Sequence, residues 1–155
     1  MVRIVRSLTP EEVYKRISGM GARYGLVFEE FEDQFLKRGR PAELLSVYLE
    51  WAGLVDAYRG YEEGGDLDFT VEEIRKFNTR QLAKLTPKRL ELLDHLASTR
   101  VESINELAHR IRRDVKNVYQ DLLALKELNL LQLKKSGKRK IVPETFVEEI
   151  AFLIR

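Results

Sequence analysis

Apolar residues recur at helical spacing through most of the chain, with alternating stretches at its start and in its last third. Val2-Arg3-Ile4-Val5-Arg6 alternates and reads as a short edge strand. Thr9 precedes Pro10, Glu11 and Glu12: a hydroxyl cap, a preset φ and first-turn acids. The helix they open carries Val13, Ile17 and Met20 on one face and ends among Gly19, Gly21 and Gly25. Phe28, Phe31 and Phe35 predict a second helix that stops near Gly39. Pro41 opens a third, in which Leu44, Tyr48, Trp51, Val55 and Tyr58 form a stripe. Gly64-Gly65-Asp66 is the natural linker. Beyond it, Thr70 with Glu73 fits a capping box for a helix reaching about Leu85.

The second half is more regular. Thr86-Pro87 starts a helix with Leu90, Leu93, Leu96 and Ala97 on its core face, and Val101 to Ser103 form an extended link. Ser103 and Glu106 make a capping box for a helix with Ile104, Leu107, Ala108 and Ile111 inward. After a turn at Ile111-Arg112-Arg113, a longer helix runs from Asp114 with Val115, Val118, Leu122, Leu125 and Leu128 inward, and Asn129 suits its stop. Leu131-Gln132-Leu133 then alternates, Ser136-Gly137 forms a hairpin tip, and Ile141-Val142 returns. Helix, helix, turn, helix and hairpin in this order predict a winged helix-turn-helix. The expected fold class is mainly α: residues 66–155 form that domain with a small β-hairpin wing, preceded by a helical segment over 1–63.

Charge sharpens this division. The net charge is only +2, yet residues 29–73 hold thirteen acidic and four basic side chains, whereas residues 100–140 hold eleven basic and five acidic. Two surfaces with different partners follow from such blocks. On the last long helix, Arg113, Lys116, Asn117 and Gln120 share the face opposite the core stripe. Lys116, Asn117 and Gln120 are the candidate base contacts, because amides pair with adenine edges and amines with guanine. Arg112, Arg113, Tyr119, Lys134, Lys135, Lys138, Arg139 and Lys140 are the candidate phosphate contacts.

Nine of the fourteen aromatic residues precede Glu62. Two readings of them stay open: a helical hairpin packed on itself, or rings left for a partner. Phe28, Phe31, Phe35, Tyr48, Trp51 and Tyr58 are the candidate partner-binding set, and the face around Trp51 also suits a small-molecule effector.

Cysteine is absent, which removes disulfides, thiolate nucleophiles and cysteine-based zinc sites, and His95 and His109 are each solitary within a helical stretch. There is no phosphate-binding glycine loop and no nucleophile with a paired base. No enzyme activity, cofactor or metal is expected. No long apolar span or signal-like start is present, and a cytoplasmic protein without membrane contact is expected.

At Leu85-Thr86-Pro87-Lys88-Arg89-Leu90-Glu91-Leu92-Leu93, Ser103-Ile104-Asn105-Glu106-Leu107-Ala108 and Arg113-Asp114-Val115-Lys116-Asn117-Val118-Tyr119-Gln120-Asp121-Leu122, the chain resembles an archaeal family of MarR-like winged-helix regulators. The likeness covers roughly Phe69 to Ile154. It implies a sequence-specific reader of double-stranded DNA and the antitoxin half of a toxin–antitoxin pair. Arg23-Tyr24-Gly25-Leu26, Phe28-Glu29-Glu30-Phe31 and Tyr48-Leu49-Glu50-Trp51 look like the acidic, aromatic tails with which archaeal antitoxins wrap basic, RNA-cleaving toxins, in reversed order along the chain. The alternative function is a protein-interaction module that neutralises a toxin through the N-terminal helices. Residues 145–155 fit strand or helix by pattern, and the resemblance favours a strand. Their apolar character, and the usual state of helix-turn-helix readers, point to a homodimer.

Overall fold

A computed structural model describes residues 1–154. The chain divides into two compact units, Met1–Arg6 with Glu72–Arg155, and Ser7–Val71. The first six residues therefore group with the second half, and the division falls at 71/72 rather than at the Gly64-Gly65 linker.

In the first of these units, strand β1 (Val2–Ser7) lies between β2 (Thr70–Arg75) and β5 (Val147–Phe152). It is a central strand, not the edge strand its pattern suggested. It pairs antiparallel with β5, setting Ile4 opposite Ile150 and Val2 opposite Phe152. Val2 and Ile4 are buried, so this face of β1 joins the core built from Leu92, Leu93, Leu96, Leu107, Val118, Leu122 and Leu125. The ambiguous C-terminal segment is thus a strand, because β1 offers it a pairing edge with matching inward residues.

The helix expected from Thr70 to Leu85 is absent. Thr70–Arg75 is extended, with Val71, Glu73 and Arg75 half-buried in alternation. Glu73 accepts from Arg6 Nε at 2.8 Å and from Arg75 Nη2 at 2.9 Å. Side-chain partners in the sheet override the local capping pattern. The real cap is Asn78, which makes a reciprocal box with Gln81 and opens a short helix, α4 (Thr79–Ala83). With three strands in this sheet and two in the hairpin, the chain is mixed α/β rather than mainly α.

Helices α5 (Pro87–Ser98), α6 (Ile104–Arg110) and α7 (Val115–Glu127) follow, capped by Thr86, Ser103 and Asp114. The capping box expected at Ser103 is half formed: Ser103 caps Glu106, but the Glu106 carboxylate accepts from the Glu102 amide instead. In α5 the inward face is Leu92, Leu93 and Leu96, while Ala97 is exposed. In α7, Val118, Leu122 and Leu125 are buried, but Val115 is 42% exposed, since at the helix's first residue the core face has run out. Asn129 stops α7 in the left-handed region at φ 56°. Strands β3 (Gln132–Ser136) and β4 (Lys140–Glu144) then pair antiparallel, with Ser136 opposite Lys140. The tip is therefore Gly137-Lys138-Arg139, entered through Gly137 at φ 70°.

In the Ser7–Val71 unit, α1 (Pro10–Tyr24), α2 (Phe28–Lys37) and α3 (Leu45–Gly64) pack together. Thr9 and Glu12 form the full capping box of α1, and Gly25 ends that helix at φ 66°. One cluster holds Leu8, Val13 and Leu54, and a second holds Phe31, Phe35 and Trp51. Among the described residues, no helix is long and apolar enough to cross a membrane.

Ile4→Ala should strip about 2–4 kcal/mol from the unit that contains α5 and α7, because the strand's buried side chain has no substitute in that core. Hydrogen exchange would read this as lost amide protection along α7. An unchanged pattern would make β1 a dispensable appendage.

Candidate nucleic-acid interface

Two short helices and a hairpin bring the predicted residues to one region. The turn between α6 and α7 reverses the chain through Arg112, a left-handed residue at φ 55°, and the Arg113 amide donates to Ala108 O at 3.0 Å. A non-glycine residue there costs on the order of 1 kcal/mol, which the packing on both sides must hold in place. Asp114 caps α7 through the Asn117 amide. Lys116, Asn117, Tyr119 and Gln120 then lie exposed on the outer face of α7. None of these four carries a side-chain bond or ion pair among the described residues that would occupy it.

Arg113 is different. The sequence pattern assigns it to the exposed face, but its guanidinium is mostly buried and donates to Asp121 Oδ2 at 2.6 Å. The other carboxylate oxygen, Oδ1, accepts from Arg89 Nε at 2.9 Å, and Arg89 also donates to Lys84 O at 3.0 Å. Burial alone would raise the Asp121 pKa, but the hydrogen bonds from Arg113 and Arg89 outweigh it and hold the carboxyl below its ordinary value. Arg113 is thus a structural brace and is not free for phosphate. Asp121 is its counter-ion, so its charge is neutralised within the fold.

The far end of α7 is fixed in a similar way. Arg75, from β2, donates through Nη1 to Leu128 O and Asn129 O, both at 3.1 Å. A guanidinium on the final carbonyls suits the negative end of the helix dipole. Glu127 pairs with Lys84 at 2.8 Å, and that hydrogen bond lowers the Glu127 pKa.

The hairpin supplies the remaining cations. Lys135, Lys138, Arg139 and Lys140 are exposed. Lys134 is engaged: it pairs with Glu144 at 3.2 Å and lies 5.8 Å from the Phe146 ring centroid. Arg139, Lys140 and Ile141 share a depression of about 280 Å³ with Ser103, Val115 and Tyr119. The hairpin tip, the cap of α6 and the first turns of α7 therefore form one continuous surface. Val115, expected in the core, is part of it.

The aromatic set of the other unit is split: Phe28, Tyr48 and Tyr58 are half-buried, and the rest lie in the core. Phe31, Phe35 and Trp51 are 5%, 2% and 1% exposed. Phe31 lies 4.9 Å from Trp51, Phe35 stacks on Tyr48 at 4.5 Å, and Phe28 stacks on Tyr48 at 6.0 Å. Tyr48 also donates to Glu32 at 2.7 Å. Phe31, Phe35 and Trp51 thus pack within the unit, while Phe28, Tyr48 and Tyr58 keep part of their surface open. Arg75 and Asp121, which position α7, were not among the predicted site residues. Asp121 had a signal, as an acid in the middle of an otherwise basic stretch.

Asp121→Asn should cost about 2–3 kcal/mol at pH 7, since two arginine hydrogen bonds lose their charged acceptor. The folded pKa lies below the usual 3.8, so this contribution is complete above that value and disappears as pH falls through the folded pKa. Denaturant titrations should therefore show the gap between the variant and the parent closing as pH falls below the ordinary carboxylate range. A gap independent of pH would assign the role to shape rather than charge.

In comparisons with known proteins, residues 84–151 match the family model HVO_A0114, a span that opens just before α5 and ends within β5. No curated protein and no solved structure matches the chain.

Proposed function

We propose that the chain is a sequence-specific reader of double-stranded DNA, a transcriptional regulator built on a winged helix-turn-helix. On this reading α6 and α7 are the helix-turn-helix, α7 enters the major groove, and β3 and β4 are the wing. The observation that carries it is the single surface formed by the exposed Lys116, Asn117 and Gln120 of α7 with the basic hairpin tip, joined through Tyr119, Arg139 and Lys140.

The chemistry supports a division of labour. Asn117 and Gln120 present amides able to bond an adenine edge bidentately, and Lys116 suits guanine. Arg112, Lys135, Lys138, Arg139 and Lys140 supply phosphate contacts, and Tyr119 can donate its hydroxyl to one more. Arg113 leaves the phosphate set, and Lys134 enters it only by exchanging its exposed pair with Glu144, an exchange that costs little. The MarR-like resemblance favours the same reading. An antitoxin role, with a basic toxin held by the N-terminal unit, would now have to use that unit's exposed acids rather than its buried rings.

Fluorescence anisotropy with the DNA upstream of its own gene and a scrambled duplex tests this. Tighter binding to the upstream DNA is expected, with a log–log salt slope of roughly −4 to −5 from four to six released counterions. Gln120→Ala should relax preference at one base pair by about 1–3 kcal/mol, whereas Lys138→Ala should weaken all sequences alike and flatten the slope by about 1. Arg113→Ala should lower stability before it alters the salt slope. Equal, salt-insensitive behaviour toward both duplexes would rule the reading out.

A further inference from the structure

The Ser7–Val71 unit contains a half-open cavity of about 400 Å³ between α1, the Leu26–Glu29 segment and α3. That volume lies in the range of small-molecule sites. Tyr14, Phe28, Trp51 and Tyr58 line it, beside aliphatic residues such as Ile17, Leu26 and Val55. Tyr14 and Tyr58 form one ring pair, with centroids 5.8 Å apart, and Phe28 and Trp51 form another at 5.7 Å. Glu29 and Glu62 also line it, against the single cation Arg59. The unit as a whole holds thirteen acidic and seven basic side chains over residues 7–71, so its field reinforces the local excess of carboxylate.

Trp51 adds an independent observation. Its ring is 1% exposed, and its indole N–H is buried with no hydrogen-bond partner among the described residues. Buried donors in native folds are nearly always satisfied, and this unpaired one belongs to a residue that lines the cavity. Tyr48 in the neighbouring cluster, by contrast, has its carboxylate partner in Glu32.

We infer that this cavity is a binding site for a planar aromatic cation. Ring faces attract a delocalised positive charge and stack on planar ligands, and the two carboxylates complement that charge. An anionic ligand of the same shape meets Glu29 and Glu62 and is rejected. The inference does not depend on DNA binding, since every residue it uses lies in the Ser7–Val71 unit.

Trp51 is the chain's one tryptophan, so its emission reports this site alone. N-methyl-6-methoxyquinolinium, the neutral 6-methoxyquinoline and the anion 6-methoxyquinoline-4-carboxylate form a matched probe series. Titrations of the full chain, read by Trp51 emission and by calorimetry, should give one saturable site for the cation, with affinity at least about tenfold above the anion. Glu29→Gln with Glu62→Gln should reduce that preference severalfold while leaving the far-UV spectrum unchanged, both side chains being exposed. Ser18→Phe, an exposed change at the cavity edge, should weaken all three probes together. Equal affinity across the series, a preference for the anion, or no calorimetric saturation by millimolar cation would each overturn the inference.

Discussion

Asp121 is the fixed point of the candidate interface. Its two oxygens take Arg89 from α5 and Arg113 from the turn ahead of α7, so one carboxylate ties three segments of chain to a common position. Without it, two mostly buried guanidinium groups would lose their shared counter-ion, a costly arrangement. The left-handed Arg112 lies beside this clamp, and its strained backbone persists because the residues on either side are held. At the opposite end of α7, Arg75 performs the complementary task on the last carbonyls. The orientation of the exposed Lys116, Asn117 and Gln120 is thus set by ion pairs beneath and behind them, as well as by the leucine core.

Much of this was legible because it is local. The caps at Thr9, Thr86 and Asp114, the hydroxyl cap at Ser103, the stop at Asn129 and the buried Val118, Leu122 and Leu125 depend on residues a few positions apart, and these form as read. What escaped the reading depends on distant partners. Thr70–Arg75 has a respectable helix-start pattern but becomes a strand beside β1, where Glu73 meets Arg6, 67 positions away. Arg113 looks like a surface cation until Asp121 and, through it, Arg89 are brought near. Lys134 and Glu144 meet only once the hairpin register is set. In the candidate site, the exposed amides were readable from periodicity, whereas the residues that aim them were not.

The aromatic residues of the N-terminal unit show how composition can mislead when surface is counted before packing. Phe31, Phe35 and Trp51 cover one another through offset and tilted contacts, and Phe28, Tyr48 and Tyr24 close around them. Three helices suffice because each ring contacts several others. What remains exposed on this unit is chiefly acidic, with scattered apolar residues such as Leu45 and Leu49.

The pairing of β1 with β5 also bears on how the chain reaches its native state. The Arg3–Glu149 pair joins positions 146 apart, so the central strand of the sheet waits for a neighbour supplied near the other end of the described sequence. Closing so long a loop is entropically slow unless the intervening segment condenses first, and the Ser7–Val71 helices, rich in local contacts, are suited to do so. During synthesis, β1 precedes β5, so that edge of the strand stays unpaired until translation has delivered β5. A nascent chain held before that point would present a sticky, half-built sheet of the kind that chaperones engage.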